Sequence, residues 1–231
     1  MEQIANNLVQ VRHEINQLIK TYQRNPAEVI LLAVSKTKSV AQIQQAVING
    51  QYRFGENYLQ EALPKIQQLS SYKLQWHFIG QIQSNKTRDI ATHFDWVQSL
   101  HNIKHARRLS QQRATHLPPL QVTIQINSDN EPQKAGVALE EALDFAHEVA
   151  ALPQLRLRGI MGLPAPSDDF EQQRHKLQVL HALYQKIQQQ IMGIDTLSMG
   201  MSKDMAAAIA EGSTLLRIGS AIFGARATHN G

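Results

Sequence analysis

The sequence contains no cysteine. That excludes a disulfide framework and any thiolate metal site. No apolar stretch approaches the roughly 18 residues that a membrane-spanning helix needs. The first 20 residues, MEQIANNLVQVRHEINQLIK, mix polar and apolar positions and lack the basic-then-apolar order of a signal peptide. The expected location is the cytoplasm. The 10 histidines include no HExxH, and His101 and His105, four apart, have no acidic third ligand at helical spacing beside them. No metal site is expected. Charge of either sign is modest, 23 Lys plus Arg against 19 Asp plus Glu, net +4. The run KHARR at 104–108 has no aromatic interleaving and reads as a solvated helix face, so no nucleic-acid partner is expected. No proline-rich linker and no internal repeat divides the chain. With 231 residues, 42% of them hydrophobic, it is expected to form one domain over residues 1–231.

What the chain does have is a regular alternation of strand and helix patterns. Residues 2–21 carry Ile4, Leu8, Val11 and Ile15 at helical spacing. Residues 29–34 are a continuous apolar run of the kind that is buried on both faces of a parallel sheet. Further strands are centred near 53, 77, 97, 123, 158, 197 and 216. Helices are predicted over 40–49, 58–69, 84–92, 102–114, 138–150, 168–190 and 203–210. Eight strand–helix units with short links predict a closed (β/α)8 barrel. An open doubly wound sheet would place a glycine-rich turn after the first strand, and VSKTKS has no glycine.

In such a barrel the C-terminal strand ends share one mouth. Lys36 follows the first strand, Asn57 the second, and His77 and Gly80 belong to the third. Lys134 and Gly136 follow the fifth. The seventh strand leads into Ser198-Met199-Gly200-Met201-Ser202, with Ser202 near a helix N-cap. The eighth gives Arg217, Gly219 and Ser220. Lys36 is either a polar cap on a strand end or a desolvated amine able to form a Schiff base. The last two loops are either plain turns or a phosphate cup between strands seven and eight. An amine facing a phosphate cup suits a phosphorylated sugar carbonyl or pyridoxal 5′-phosphate. Arg217 favours the second: a permanent donor beside a ring nitrogen keeps that nitrogen unprotonated.

Six ordered blocks, VSKTKS (34–39), FGENYLQE (54–61), WHFIGQIQSNK (76–86), LRGIMGL (157–163), LSMGMSKDM (197–205) and LRIGSAIFGAR (216–226), resemble the pyridoxal phosphate homeostasis family. The resemblance implies a single TIM-like barrel similar to the N-terminal domain of alanine racemase. It implies pyridoxal 5′-phosphate held as a Schiff base, a role in vitamin B6 homeostasis, and no established catalytic reaction. By it, Lys36 carries the cofactor, Asn57 lies beside it, and Ser202, Gly219 and Ser220 hold the phosphate. Ser198 and Gly200 shape that loop, and Arg217 faces the pyridine nitrogen. His77 shapes the mouth, and Lys134 is a second lysine near the pocket. A monomer is expected, with transient contact with pyridoxal-phosphate-dependent apo-enzymes. Ser39, Gln81, His101 and Lys203 depart from the family's usual residues and alter loop stiffness or rim charge.

The competing expectation is a small amino-acid racemase. A two-base racemase needs acid–base groups on both faces of the cofactor. Of the five tyrosines, Tyr58 alone is close in sequence to a mouth loop. The expectation is therefore a cofactor carrier that is not an enzyme.

Overall fold

The computed structural model describes residues 2–129 and 134–224. Its eight strands are β1 (Ile30–Val34), β2 (Arg53–Glu56), β3 (Gln75–Phe78), β4 (Trp96–Leu100), β5 (Leu120–Ile126), β6 (Leu155–Gly162), β7 (Thr196–Ser198) and β8 (Leu215–Ile218). They pair in sequence order and the barrel closes. The closing seam is a parallel β1–β8 pairing, in register from Ile30↔Leu215 to Ala33↔Ile218. The helices are α1 (Glu2–Thr21), α2 (Val40–Ile48), α3 (Leu59–Gln68), α4 (Thr87–His93), α5 (Ile103–Gln112), α6 (Ala142–Ala150), α7 (Phe170–Gln190), α8 (Met205–Ala210) and α9 (Ser220–Phe223). The predicted barrel is the observed one.

Strand residues such as Leu32, Phe54, Leu120, Ile124 and Ile160 are fully buried. Of these strands only β1, ILLAV, is a continuous apolar run; β5, LQVTIQI, and the first half of β6, LRLR, alternate. α1 buries Leu8, Val11, Ile15 and Ile19, each side chain worth roughly 1.5–3 kcal/mol on burial. The Asn7 amide donates to the Ile222 carbonyl at 2.9 Å, tying α1 to α9 beneath the loop after β8. Ser39 opens α2 with a reciprocal capping box to Gln42.

Several helix boundaries differ from expectation, among them α4, which begins at Thr87 after a 3-10 turn over Ser84–Lys86. α6 begins at Ala142 rather than near 138, because Val137 is drawn into a bridge with Ile126 at the end of β5. α8 begins after Asp204, whose carboxylate makes no bond to the helix N–H groups and instead turns back to accept the Met201 N–H at 2.6 Å. Ser202 lies inside that turn, exposed, and is not the cap. Residues 225 and 226, the end of the last sequence block, fall outside the described residues.

Candidate functional site

Lys36 lies two residues beyond the end of β1, half-buried in the wall of a cavity at the C-terminal end of the barrel. The chain turns sharply there. Thr37 has φ +64°, left-handed backbone that a β-branched residue rarely adopts. Such a conformation costs of order 1–3 kcal/mol and persists where surroundings enforce it. Here the Thr37 N–H donates to Glu61 Oε2 at 3.0 Å, and the Lys38 N–H to the Ser35 carbonyl at 3.1 Å. The Lys38 ammonium reaches the Gly224 carbonyl at 3.1 Å, fastening this turn to the end of α9.

A buried ionic cluster stands directly behind Lys36. Lys65 Nζ meets both oxygens of Glu56 at 2.9 and 3.0 Å and donates to the Ser35 carbonyl at 3.0 Å. The Ser35 hydroxyl donates to Glu56 Oε1 at 2.6 Å. Burial pushes the Glu56 carboxyl above its usual range, while Lys65 and the Ser35 hydroxyl pull it back. The cluster fixes the peptide that carries Lys36. Nothing in the sequence singles out Lys65, which sits nine residues from Glu56 on a helix that looks amphipathic.

The cavity measures about 470 Å³, within the range of small-molecule sites. Six of the expected residues line it: Lys36, Asn57, Ser202, Arg217, Gly219 and Ser220. Val34, Ile79, Met161 and Leu163 supply apolar walls. Five basic side chains face it, Lys36, Lys38, Lys176, Lys203 and Arg217, against one acid among the described lining residues, Asp204. That imbalance gives the cavity a positive potential suited to a phosphate. Lys38 and Lys176 were not expected there from the sequence; Lys176 comes from within α7. First-turn helix N–H groups have no intrahelical partner, and Gly219 and Ser220 bring the start of α9 to the same wall. The buried amide oxygen of Asn57 has no hydrogen-bond partner. Asn57 is held by close backbone packing: a Cβ at Gly80 would lie 1.9 Å from the Asn57 carbonyl oxygen.

Arg217 is buried across the barrel. Its guanidinium donates to Ser198 Oγ at 2.7 Å and to the Gly162 carbonyl at 2.8 Å. Burial lowers its pKa to about 10, opposed by Asp204. It therefore remains a cation and a donor at neutral pH.

Four expected residues lie elsewhere. Ser198 is buried one layer below the mouth, donating to Gln98 Oε1 at 2.6 Å. Gly200 does not line the cavity. It has φ +97°, and a Cβ there would come within 2.5 Å of the Ala208 Cβ, so it lets α8 pack closely. Lys134 pairs with Asp129 at 3.0 Å. That carboxylate also accepts the N–H of Ala165, a lining residue, so Lys134 stands behind the wall. His77 is buried inside the barrel and faces a second cavity at the opposite end.

The buried polar groups connect. Arg217 donates to Ser198, whose hydroxyl proton goes to Gln98 Oε1. The Gln98 amide nitrogen then donates to His77 Nδ1 at 2.9 Å. His77 must carry its proton on Nε2, directed at Gln75 Oε1, 3.1 Å away. Gln75 Oε1 also accepts from Arg53 Nε at 3.1 Å. One directional relay thus crosses the barrel interior from mouth to base.

The fold and the cationic mouth define a barrel of the alanine racemase N-terminal class. The family described as alanine racemase, N-terminal domain, matches residues 7–227. The fold is shared with alanine racemase from Corynebacterium glutamicum, TM-score 0.71 at 16% identity, covering 97% of this chain and 61% of that one. Greater similarity lies with shorter proteins. The chain is 48% identical over 229 residues to the pyridoxal phosphate homeostasis protein of Escherichia coli K12, covering 98% of each, and 48% identical over 230 residues to that of Pseudomonas aeruginosa. PipY of Synechococcus elongatus, solved with PLP bound, superposes with TM-score 0.84 at 32% identity, over 96% of this chain and all of that one. The chain belongs to the pyridoxal phosphate homeostasis family.

Proposed function

We propose that this chain binds pyridoxal 5′-phosphate at the C-terminal mouth of the barrel and serves vitamin B6 homeostasis as a carrier rather than as an enzyme. The observation that carries this reading is the lining of the cavity: five basic groups against Asp204, with Lys36 among them. The unpartnered Asn57 oxygen fits the same ligand, because a cofactor hydroxyl is the donor it lacks. The chemistry supplied by the bound cofactor is that of an aldehyde conjugated to a pyridine ring.

Each residue has a distinct task. Lys36 supplies the amine that captures the aldehyde, and the Glu56–Lys65–Ser35 cluster holds its backbone still. Ser202 and the Gly219–Ser220 start of α9 hold the phosphate, with the lysines neutralising it. Arg217 can only donate, so it keeps a facing ring nitrogen unprotonated and discourages carbanion chemistry. Among the described residues lining the mouth there is no tyrosine and no histidine. The tyrosine that a lysine–tyrosine racemase places on the other face of the cofactor has no counterpart among them, which favours the carrier over a racemase. An open mouth on a monomer would let apo-enzymes receive the cofactor by transient contact. Among the described residues no helix is long and apolar enough to cross a membrane, and we place the carrier in the cytoplasm.

The test is to incubate the loaded protein in deuterium oxide with L- and D-alanine, and in parallel with a pyridoxal-phosphate-dependent apo-enzyme. Transfer of cofactor without deuterium at Cα is expected. Rapid Cα exchange that depends on Lys36 would make this an enzyme.

A further inference from the structure

α3 grips the chain on both sides of Lys36. On one side the Ser35 carbonyl accepts from Lys65 Nζ at 3.0 Å. On the other the Thr37 N–H donates to Glu61 Oε2 at 3.0 Å. Glu61 and Lys65 stand one helical turn apart and approach each other at 3.9 Å. The two arms are unequal. Lys65 is buried with Glu56, so Ser35 is held from within the protein. Glu61 has a side chain 41% exposed, and its bond is the one α3 makes to Thr37.

Thr37 is where the backbone needs holding. Residues 35–38 form a turn closed by the Lys38 N–H on the Ser35 carbonyl at 3.1 Å. Thr37 occupies its third position with φ +64°. A positive φ there suits glycine or asparagine, not a β-branched residue. Thr37 is also exposed, so close packing does not impose the angle. An acid at the third position of a helix commonly reaches back to the start of its own helix. α3 starts without a side-chain cap, and Glu61 reaches across to Thr37 instead. Glu61 does not line the mouth cavity, whereas Lys36 and Thr37 do. Any effect of Glu61 on a ligand there therefore passes through the turn.

We propose that Glu61 is a positioning residue for Lys36: by accepting the Thr37 N–H it holds the strained turn that aims the Lys36 amine into the mouth. This rests on the reading that Lys36 captures pyridoxal 5′-phosphate. In that capture the amine nitrogen bonds to the aldehyde carbon and the aldehyde oxygen leaves as water, so nothing is oxidised or reduced.

The test compares two ligands on the full chain. Pyridoxal 5′-phosphate needs both the pocket and a well-aimed amine. Pyridoxine 5′-phosphate, with an alcohol in place of the aldehyde, needs the pocket alone. Capture is read as the fraction of Lys36 fixed by borohydride across a titration, and pocket binding by calorimetry with the alcohol. Glu61→Ala should weaken capture about tenfold, as for a lost hydrogen bond to a charged group, and leave the affinity for the alcohol within about twofold. Glu61→Gln keeps an acceptor oxygen and should recover most of the loss. Glycine adopts the angle without strain, so in a Thr37→Gly background Glu61→Ala should cost no more than about twofold. Equal losses for both ligands, no recovery in Glu61→Gln, or the full loss in the Thr37→Gly background would overturn the proposal. A parent protein that captures nothing on Lys36 would overturn the carrier reading, and this proposal with it.

Discussion

Lys65→Met isolates the part of the mouth that the sequence concealed. Lys65 and Glu56 form an ion pair whose side chains are 8% and 0% exposed. Removing the cation leaves a buried carboxylate whose remaining side-chain donor is the Ser35 hydroxyl. Breaking a buried pair from one side costs about 3–5 kcal/mol. For a domain of this size each kcal/mol shifts Tm by about 2–4 °C, so a drop of roughly 6–20 °C at pH 7 is expected. The deficit should depend on pH. Burial already raises the Glu56 pKa above 4.5, and Lys65 is the largest opposing influence. Without it the folded state binds the proton more tightly than the unfolded chain does. Stability is then fully present below the ordinary carboxylate pKa and is lost as pH rises through the raised one. Acidifying from pH 7 toward 5 should therefore recover part of the loss in Lys65→Met and less in the parent. The double variant Glu56→Met/Lys65→Met removes both charges and should approach parent stability. The assay is thermal unfolding from pH 5 to 7, with cofactor titration beside it. A single variant within about 1 kcal/mol of the parent at pH 7, or a double variant no better than the single, would refute the cluster as the anchor of the Lys36 backbone.

Two further predictions probe the interior. The His77 pKa is about 3 in the folded state against an ordinary 6.5, so below pH 6.5 the unfolded chain takes up a proton that the folded one refuses. Stability should fall as pH drops from 6.5 toward 3 and be insensitive to this group above 6.5, and denaturant melts of His77→Gln should show a shallower acid limb; an unchanged limb would contradict a neutral His77. Gly80→Ala should cost about 1–3 kcal/mol or more, because backbone cannot step aside as a side chain can. It should also weaken cofactor binding by displacing Asn57, measured by melting and by titration; parent affinity would contradict that role.

The barrel was legible because short strand patterns, some apolar runs such as 30–34 and some alternating such as 120–126, recur between helical patterns, with polar residues and glycines clustered at their ends. Lys36, Asn57, Ser202, Arg217, Gly219 and Ser220, read as polar residues and glycines after strand ends, do line one cavity. Other features depend on pairing register and helix azimuth, which one sequence does not display. His77 stands one residue from the end of β3, yet pairing with Gly55 and Trp96 directs it into the barrel interior and toward the base. Ser198 ends β7, but its hydroxyl is drawn inward by Gln98 and Arg217. Lys65 and Lys176 read as ordinary exposed helix residues. Their long stems let one charge reach the buried cluster and the other the cavity wall, a reach that periodicity cannot report. Ser202 looked like a cap because serine favours that position, but the helix starts only after Asp204, two residues on.

The central claim is that Lys36 carries pyridoxal 5′-phosphate in the cationic mouth. The direct measurement is borohydride reduction of the loaded protein, followed by peptide mapping of the pyridoxyl label, in the parent and in Lys36→Ala. The label should fall on Lys36 in the parent. In Lys36→Ala it should be absent while melting temperature stays close to the parent and weaker, non-covalent binding survives through the phosphate contacts. Label recovered on Lys134 or another lysine as the primary position, or full labelling in Lys36→Ala, would contradict the account.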